Sequence, residues 1–318
     1  MLKICKIPVP TPYLSGPLNS YLIMNRPYTL VDPGPETEVA RKSLVEGLAS
    51  LGVDVADIAR IVLTHSHPDH CGLAGWLAGL CGAAVYVHGL ELRKLARDYD
   101  YYGERLPFLI EAGLPPGALK ELFDDPDPVP KPYLDHAGVE ILNGGETLDF
   151  EEGPLRIMHF PGHACGHLCL YEPAERIFLA GDFILRHITP NPVMEPDPSD
   201  LSKRLPVLKQ YLDGLNGLKN LDVRLILPGH GKNIDNSREA ADKAEKHHAT
   251  RLKAVTSILA GGGSFTAYQV MRVLYPEIRG FQIYLGISEV FAHLDFLLAG
   301  GVIKREERGG VSFYRSAF

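Results

Sequence analysis

Three histidines and an aspartate fall within six positions of the stretch IVLTHSHPDHCG, residues 61–72. The apolar run before them reads as a strand, and residues two apart on an extended chain point the same way. His65 and His67 therefore converge on one point beyond the strand end. Pro68 turns the chain toward a helix, so Asp69 and His70 face a second point close by. Neutral imidazole nitrogen and carboxylate oxygen suit zinc and other divalent first-row metals. Such a segment must sit at an open strand end, which favours a layered α/β fold with its chemistry along one edge.

The rest of the chain supplies matching strand ends. The runs LRIMHFPG, HLCLYEP, RIFLAGD and VRLILPGHG are strand-like and end in turn residues. Beyond them lie His163, Asp182 and His230, each following an apolar strand and standing beside glycine, where the backbone can turn tightly. Upstream, NSYLIM and YTLVD read as strands, and EVARKSLVEGLASLG as an amphipathic helix closed by Gly52. The stretches 90–136 and 187–200 are proline-rich in part and too irregular for core elements, so loops over a site or surface decoration are both open readings.

With 318 residues, 45% hydrophobic and 22% charged, the chain can bury one large domain and a small one. The apolar window 71–87 is too short for a membrane span and is interrupted by Gly79 and Gly82; a buried helix near 71–80 and a strand near 83–88 are expected instead. No secretory signal pattern opens the sequence. Five cysteines with irregular spacing and no CxxC point to reduced thiols in a cytoplasm. Cys71, next to His70, reads as a small buried hydrophobe and not as a ligand.

The pattern HxHxDH, a GHxxGH-type segment, a strand ending in Gly-Asp and a PGH turn resembles the metallo-β-lactamase superfamily. The early LVDPG fits as well, and the likeness covers about residues 15–235. It implies an αβ/βα four-layer sandwich with two divalent metals at its edge, zinc first, with iron or manganese as alternatives. By the family pattern His65, His67 and His163 would hold one metal; Asp69, His70 and His230 the other; Asp182 would bridge. His167 and Asp32 would support the site from behind, and Asp69 would orient the attacking hydroxide. Two divalent ions about 3.5–4 Å apart share one water and bring its pKa toward neutrality.

From about residue 237 the sequence changes to three helices and a terminal hairpin turning at Gly309-Gly310. The expectation is a catalytic domain over 1–236, with an insertion at about 90–136, and a small winged helix-turn-helix domain over 237–318. The latter has 11 Lys and Arg against 8 Asp and Glu, a net of +3, within a chain of net charge −7. The acidic remainder argues against nucleic-acid binding. The third helix, with Glu289 and Asp295 and no Lys or Arg, does not suit a DNA groove; packing on the catalytic domain or a homodimer contact fits better. Arg251 and Lys253 are candidates for an anionic group on the substrate.

The resulting reading is a cytoplasmic dinuclear hydrolase without membrane partners, acting on a thioester or ester of a small acidic metabolite, as hydroxyacylglutathione hydrolases (glyoxalase II) do. The main alternative is a single-strand endoribonuclease of the lactamase-B2-like type, which leaves RNA open as a partner. A persulfide dioxygenase with one iron and a ligand-sensing regulator rank below these.

Overall fold

A helix layer and two β-sheets stack in the first part of the molecule, whose computed structural model describes residues 1–13, 15–124, 133–134 and 138–318. The chain forms two compact units. The first comprises Met1–Tyr99, Pro128–Pro190 and Asn216–Ala241; the second comprises Asp100–Asp127, Asn191–Leu215 and Asp242–Phe318.

In the first unit a six-stranded sheet runs in sequence order: β1 (Ile4–Val9), β2 (Leu18–Ile23), β3 (Thr29–Val31), β4 (Arg60–Val62), β5 (Ala84–His88) and β6 (Val139–Leu142). The first three strands pair antiparallel and the rest parallel. The second sheet is ordered from the strand Leu225–Pro228 through β10 (Ile177–Gly181), β9 (Leu168–Glu172) and β8 (Gly153–His159) to β7 (Thr147–Phe150). Alternation assigns the faces of the first sheet. Leu22, Leu30 and Ile61 pack with Leu44 and Leu48 of α1 (Glu38–Ser50). Their neighbours Tyr21, Ile23, Val31 and Val62 meet Leu155, Ile157, Leu168, Leu170 and Leu179 of the second sheet. Strands with both faces covered carry the near-continuous apolar runs seen in the sequence.

The apolar window at 71–87 resolves as expected. After the short α2 (Pro68–Cys71) come α3 (Ala74–Cys81), closed by Gly82 in the left-handed conformation, and β5. A further short helix, α4 (Gly89–Leu92), follows β5 directly.

The second unit corrects the contiguous division expected at residue 236. It draws in α5 (Tyr101–Glu111) and α6 (Pro116–Asp124), a hairpin of Pro196–Asp197 and Asp200–Arg204, and most of α7 (Val207–Lys219). It also holds the larger part of α8 (Ser237–Ala260), then α9 (Ala267–Leu274), α10 (Phe281–Ala299) and the hairpin Ile303–Arg308/Val311–Ser316. That hairpin turns where expected, with Gly309 and Gly310 both at positive φ. The reason for the interleaving is core volume. Phe108 and Leu109 of α5, with Val193 and Met194 of the second proline-rich stretch, are buried beside Met271, Ile287, Phe291 and Leu294. That stretch is therefore partly core and not wholly loop. Most of the first proline-rich stretch, at 125–132 and 135–137, lies outside the described residues.

Two charged networks lock this unit. Arg105, wholly buried, donates to Glu195 Oε2 at 2.9 Å, to the Tyr284 hydroxyl at 3.0 Å and to the Tyr101 carbonyl at 3.0 Å. Arg204 forms a two-pronged pair with Asp295, 2.9 Å on each arm, and also donates to Glu111. Helix α10 is long and apolar enough to cross a membrane by length and composition, but 61% of its apolar window is buried inside the protein. A core helix has that composition for the same reason.

Candidate metal centre

The ends of four strands and their loops meet at one edge of the first unit. His65, His67, Asp69 and His70 leave β4 and enter α2, His163 lies between β8 and β9, Asp182 directly follows β10, and His230 follows Leu225–Pro228. Their donor atoms fall into three overlapping groups, each within 4.8 Å: His65, His67 and His163; His65, His70 and Asp182; Asp69, His70 and His230. All seven residues singled out in the sequence are thus brought together.

Each ring is aimed from behind. His65 Nδ1 is 3.0 Å from the Thr64 hydroxyl, which itself donates to Asp32 Oδ2 at 2.7 Å. His70 Nδ1 donates to the same Asp32 oxygen at 2.8 Å. His230 Nδ1 donates to the carbonyls of Gly16 and Pro17, both at 3.1 Å. In each case the outer bond settles the tautomer and leaves the Nε2 lone pair facing the cluster. His65 Nε2 and His163 Nε2 approach His67 Nδ1 at 2.9 and 3.1 Å, nitrogen against nitrogen. Asp182 stands between the groups: Oδ1 is 3.5 Å from His70 Nε2, and Oδ2 is 3.7 Å from His230 Nε2 and 3.9 Å from His163 Nε2.

Burial and neighbouring imidazoles push His65 far below its usual range, and burial with His163 pushes His67 down to about 3. These rings stay neutral with lone pairs exposed to one another. Around His70 burial acts the same way, but Asp182, Asp32 and Asp69 outweigh it and raise the ring's pKa. Burial opposes ionisation of Asp182, yet His230, His70 and His163 hold its pKa well below the carboxylate norm. The centre therefore pairs a neutral nitrogen-rich half with a half whose carboxylates draw positive charge onto His70 and His230, and both favour a cation. His70 Nε2, Asp182 Oδ1 and His230 Nε2 are buried without a hydrogen-bond partner, which a polar group tolerates poorly unless something else satisfies it.

Backbone detail permits this closeness. A Cβ on Gly229 would lie 2.4 Å from Asp182 Oδ1 and 2.8 Å from His70 Cε1. Asp32 takes a left-handed backbone, φ 52°, while also accepting the Thr64 amide at 2.8 Å. His167, fully buried, accepts the Asp182 amide on Nε2 at 3.1 Å, so it braces the Asp182 loop. Cys71 is buried with its thiol pKa raised by desolvation, and it donates to the His67 carbonyl at 3.2 Å.

Arg251 and Lys253 belong to the second unit. Arg251 donates to Glu289 at 2.9 Å and stacks over Tyr275, so its charge is already engaged; Lys253 is exposed. Two positioning side chains escaped the sequence reading. Asn19 donates to the carbonyls of Pro228 and Gly231 on either side of His230, at 2.9 and 3.0 Å. Glu91 sits fully buried directly behind the His65–His67 loop. A carboxylate right after a strand end was the signal for Glu91; nothing local marks Asn19.

Comparison with known proteins agrees with this geometry. Over 98% of both chains the protein is 28% identical to the "Probable metallo-hydrolase YqjP" of Bacillus subtilis. It is 26% identical to the "Beta-lactamase-like protein 2 homolog" of Caenorhabditis elegans over 93% of this chain and 83% of that one. The "Atrochrysone carboxyl ACP thioesterase" of Passalora fulva is 25% identical, covering 92% of this chain and 74% of its own length. Among solved structures, a metallo-beta-lactamase family protein of Thermus thermophilus superposes with a TM-score of 0.82 and 30% identity over 98% of both chains. The sequence profile of the metallo-beta-lactamase superfamily matches residues 15–230, a span that contains all seven clustered side chains. The chain belongs to the metallo-beta-lactamase superfamily.

Proposed function

We propose that this metallo-hydrolase cleaves a thioester or ester of a small acidic metabolite at a centre of two divalent cations, zinc in the first instance. His65, His67 and His163 would hold one cation; Asp69, His70 and His230 the other; Asp182 would lie between them. The strongest support is the set of buried atoms on His70, Asp182 and His230 that lie close together and form no hydrogen bond. When bound, the cations supply Lewis acidity, lowering the pKa of water and neutralising charge that builds on the substrate oxygen.

The side chains do the rest. Burial raises the Asp69 carboxyl pKa, but His70 and His230 outweigh it and leave Asp69 ionised. Its Oδ2 lies 3.3 Å from His230 Nε2, where it can accept a hydrogen bond from the attacking water and fix that water's direction. Asp32, through Thr64 and His70, keeps both halves of the centre aligned. The thioester preference rests on the relative named as an acyl-carrier thioesterase.

The order α8, strand Phe265–Thr266, α9, α10 and terminal hairpin fits a winged helix. Because α10 buries Ile287, Phe291 and Leu294 and has no Lys or Arg, it suits a packing or dimer-contact role better than DNA binding. Five cysteines outside any disulfide, three of them buried, fit a cytoplasmic setting.

The test is a panel of acyl-glutathione, acyl-CoA and acyl-carrier thioesters beside single-stranded RNA, with metal-replete protein. Thiol release by the wild type, reduced more than about 100-fold in Asp182→Ala, is expected. RNA cleavage without thiol release would replace this reading by the endoribonuclease one.

A further inference from the structure

Glu91 is wholly buried on α4, outside every group of donor atoms in the centre. Its two carboxylate oxygens go to different loops. Oε2 accepts the Ser66 amide at 3.2 Å and the Ser66 hydroxyl, and Ser66 lies between His65 and His67. Oε1 accepts the Gly166 amide at 2.7 Å and the Cys165 thiol at 3.3 Å, in the loop that carries His163. Lys94 Nζ reaches both oxygens, at 3.0 and 3.1 Å. The fit is close on the far side too, since a Cβ on Gly166 would lie 2.8 Å from Glu91 Cγ and 2.9 Å from His88 Nδ1. One rigid, planar group thus sets the separation of two loops that come from different sheets.

We infer that Glu91 is a positioning residue that clamps the His65–His67 loop to the His163 loop, so that these three histidines face a single point. The inference rests on the proposed metal centre. Glutamine at position 91 keeps one carbonyl oxygen but turns an NH2 group toward a donor, so one loop is released whichever way the amide faces. Lys94 then loses this carboxylate while staying buried. The loss should fall on the His65/His67/His163 position, because His70 is held by Asp32 and His230 by the Gly16 and Pro17 carbonyls, and neither of these bonds involves Glu91.

The experiment compares wild type, Glu91→Gln, Glu91→Gln with Lys94→Met, and Gly166→Ala. Cobalt(II) binding is measured by titration against a chelator and by visible absorption. Hydrogen exchange of metal-free protein is followed over residues 64–71, 160–168 and 226–234. The double substitution removes the buried ammonium along with the carboxylate and should recover thermal stability. It should still bind one of two cobalt ions about 10–100-fold more weakly. Exchange should speed up at 64–71 and 160–168 together and stay unchanged at 226–234. Gly166→Ala should reproduce this with both charges in place. If the double substitution restores both stability and cobalt affinity, Glu91 is merely the counter-ion of Lys94 and the inference falls. Wild type that takes up no cobalt would end the proposed function; the clamp is then decided by exchange, and unchanged rates in the double variant would overturn it.

Discussion

Asp32 accepts the Nδ1 proton of His70 across 2.8 Å in a setting where both side chains are buried. The same carboxylate oxygen accepts the Thr64 hydroxyl that lies against His65. Asp32→Asn keeps the residue's tolerance of the left-handed backbone but replaces an acceptor with a donor. Metal affinity should fall about 10–100-fold with the fold retained. Metal content after dialysis against graded chelator, with circular dichroism as the control, checks this.

Gly229→Ala tests the packing of the centre without changing any polar group. The added methyl would lie 2.4 Å from Asp182 Oδ1, 2.8 Å from His70 Cε1 and 3.1 Å from the Gly181 carbonyl carbon. Expected is a loss of metal affinity of at least about tenfold, while far-ultraviolet circular dichroism stays near wild type. Isothermal titration with zinc reads the outcome; unchanged affinity would mean that the PGH turn relaxes freely.

In the second unit His248 Nδ1 lies 3.2 Å from His293 Nε2, and His293 Nδ1 donates to the Glu289 carbonyl at 2.6 Å. Burial first, then the charges of His293 and His247, pushes His248 down to about 3. Burial opposes ionisation of Glu289, yet His247, Tyr275 and Arg251 hold it at about 2. Both folded pKa values lie below the unfolded ones, so the unfolded chain binds more protons as pH falls. The histidine contribution is complete above about 6.5 and is lost toward about 3. The glutamate contribution is complete above about 4.5 and is lost toward about 2. Each proton adds a slope of up to about 1.4 kcal/mol per pH unit. His248→Leu should reduce the slope of the stability profile by up to about 1.4 kcal/mol per pH unit throughout the range from about 6.5 to about 3, and leave the loss below about 3 to the glutamate. Denaturant midpoints at half-unit steps of pH measure it.

Arg105→Met should cost about 3–5 kcal/mol, because it takes the guanidinium away from the buried Glu195 carboxylate. Adding Glu195→Leu should recover most of that loss, since an apolar pair of similar volume removes the buried charge as well. Urea unfolding of the single and double variants decides between a stabilising and a merely tolerated ion pair.

The centre was legible because its donors sit where apolar runs stop, and strand periodicity plus glycine marks such places in one dimension. His163, Asp182 and His230 could be found that way. Glu91 follows the same rule at the end of β5, but it stands alone in its segment, and its partners Ser66 and Gly166 are 25 and 75 residues distant. The second unit was the least legible. Met194 lies in a proline-rich stretch whose local pattern says loop, and only long-range packing beside Phe291 and Met271 makes it core. Arg251 looked available because Glu289 lies 38 residues away in sequence.

The centre draws on both sheets: Asp32 and the His65–His70 segment follow strands of one, and His163, Asp182 and His230 follow strands of the other. Sliding one sheet past its partner by a single residue, a rise of about 3.3 Å, would pull every one of these groups apart. A bound cation would therefore act as a rivet through the sandwich, and its retention would gauge whether the two sheets are in register.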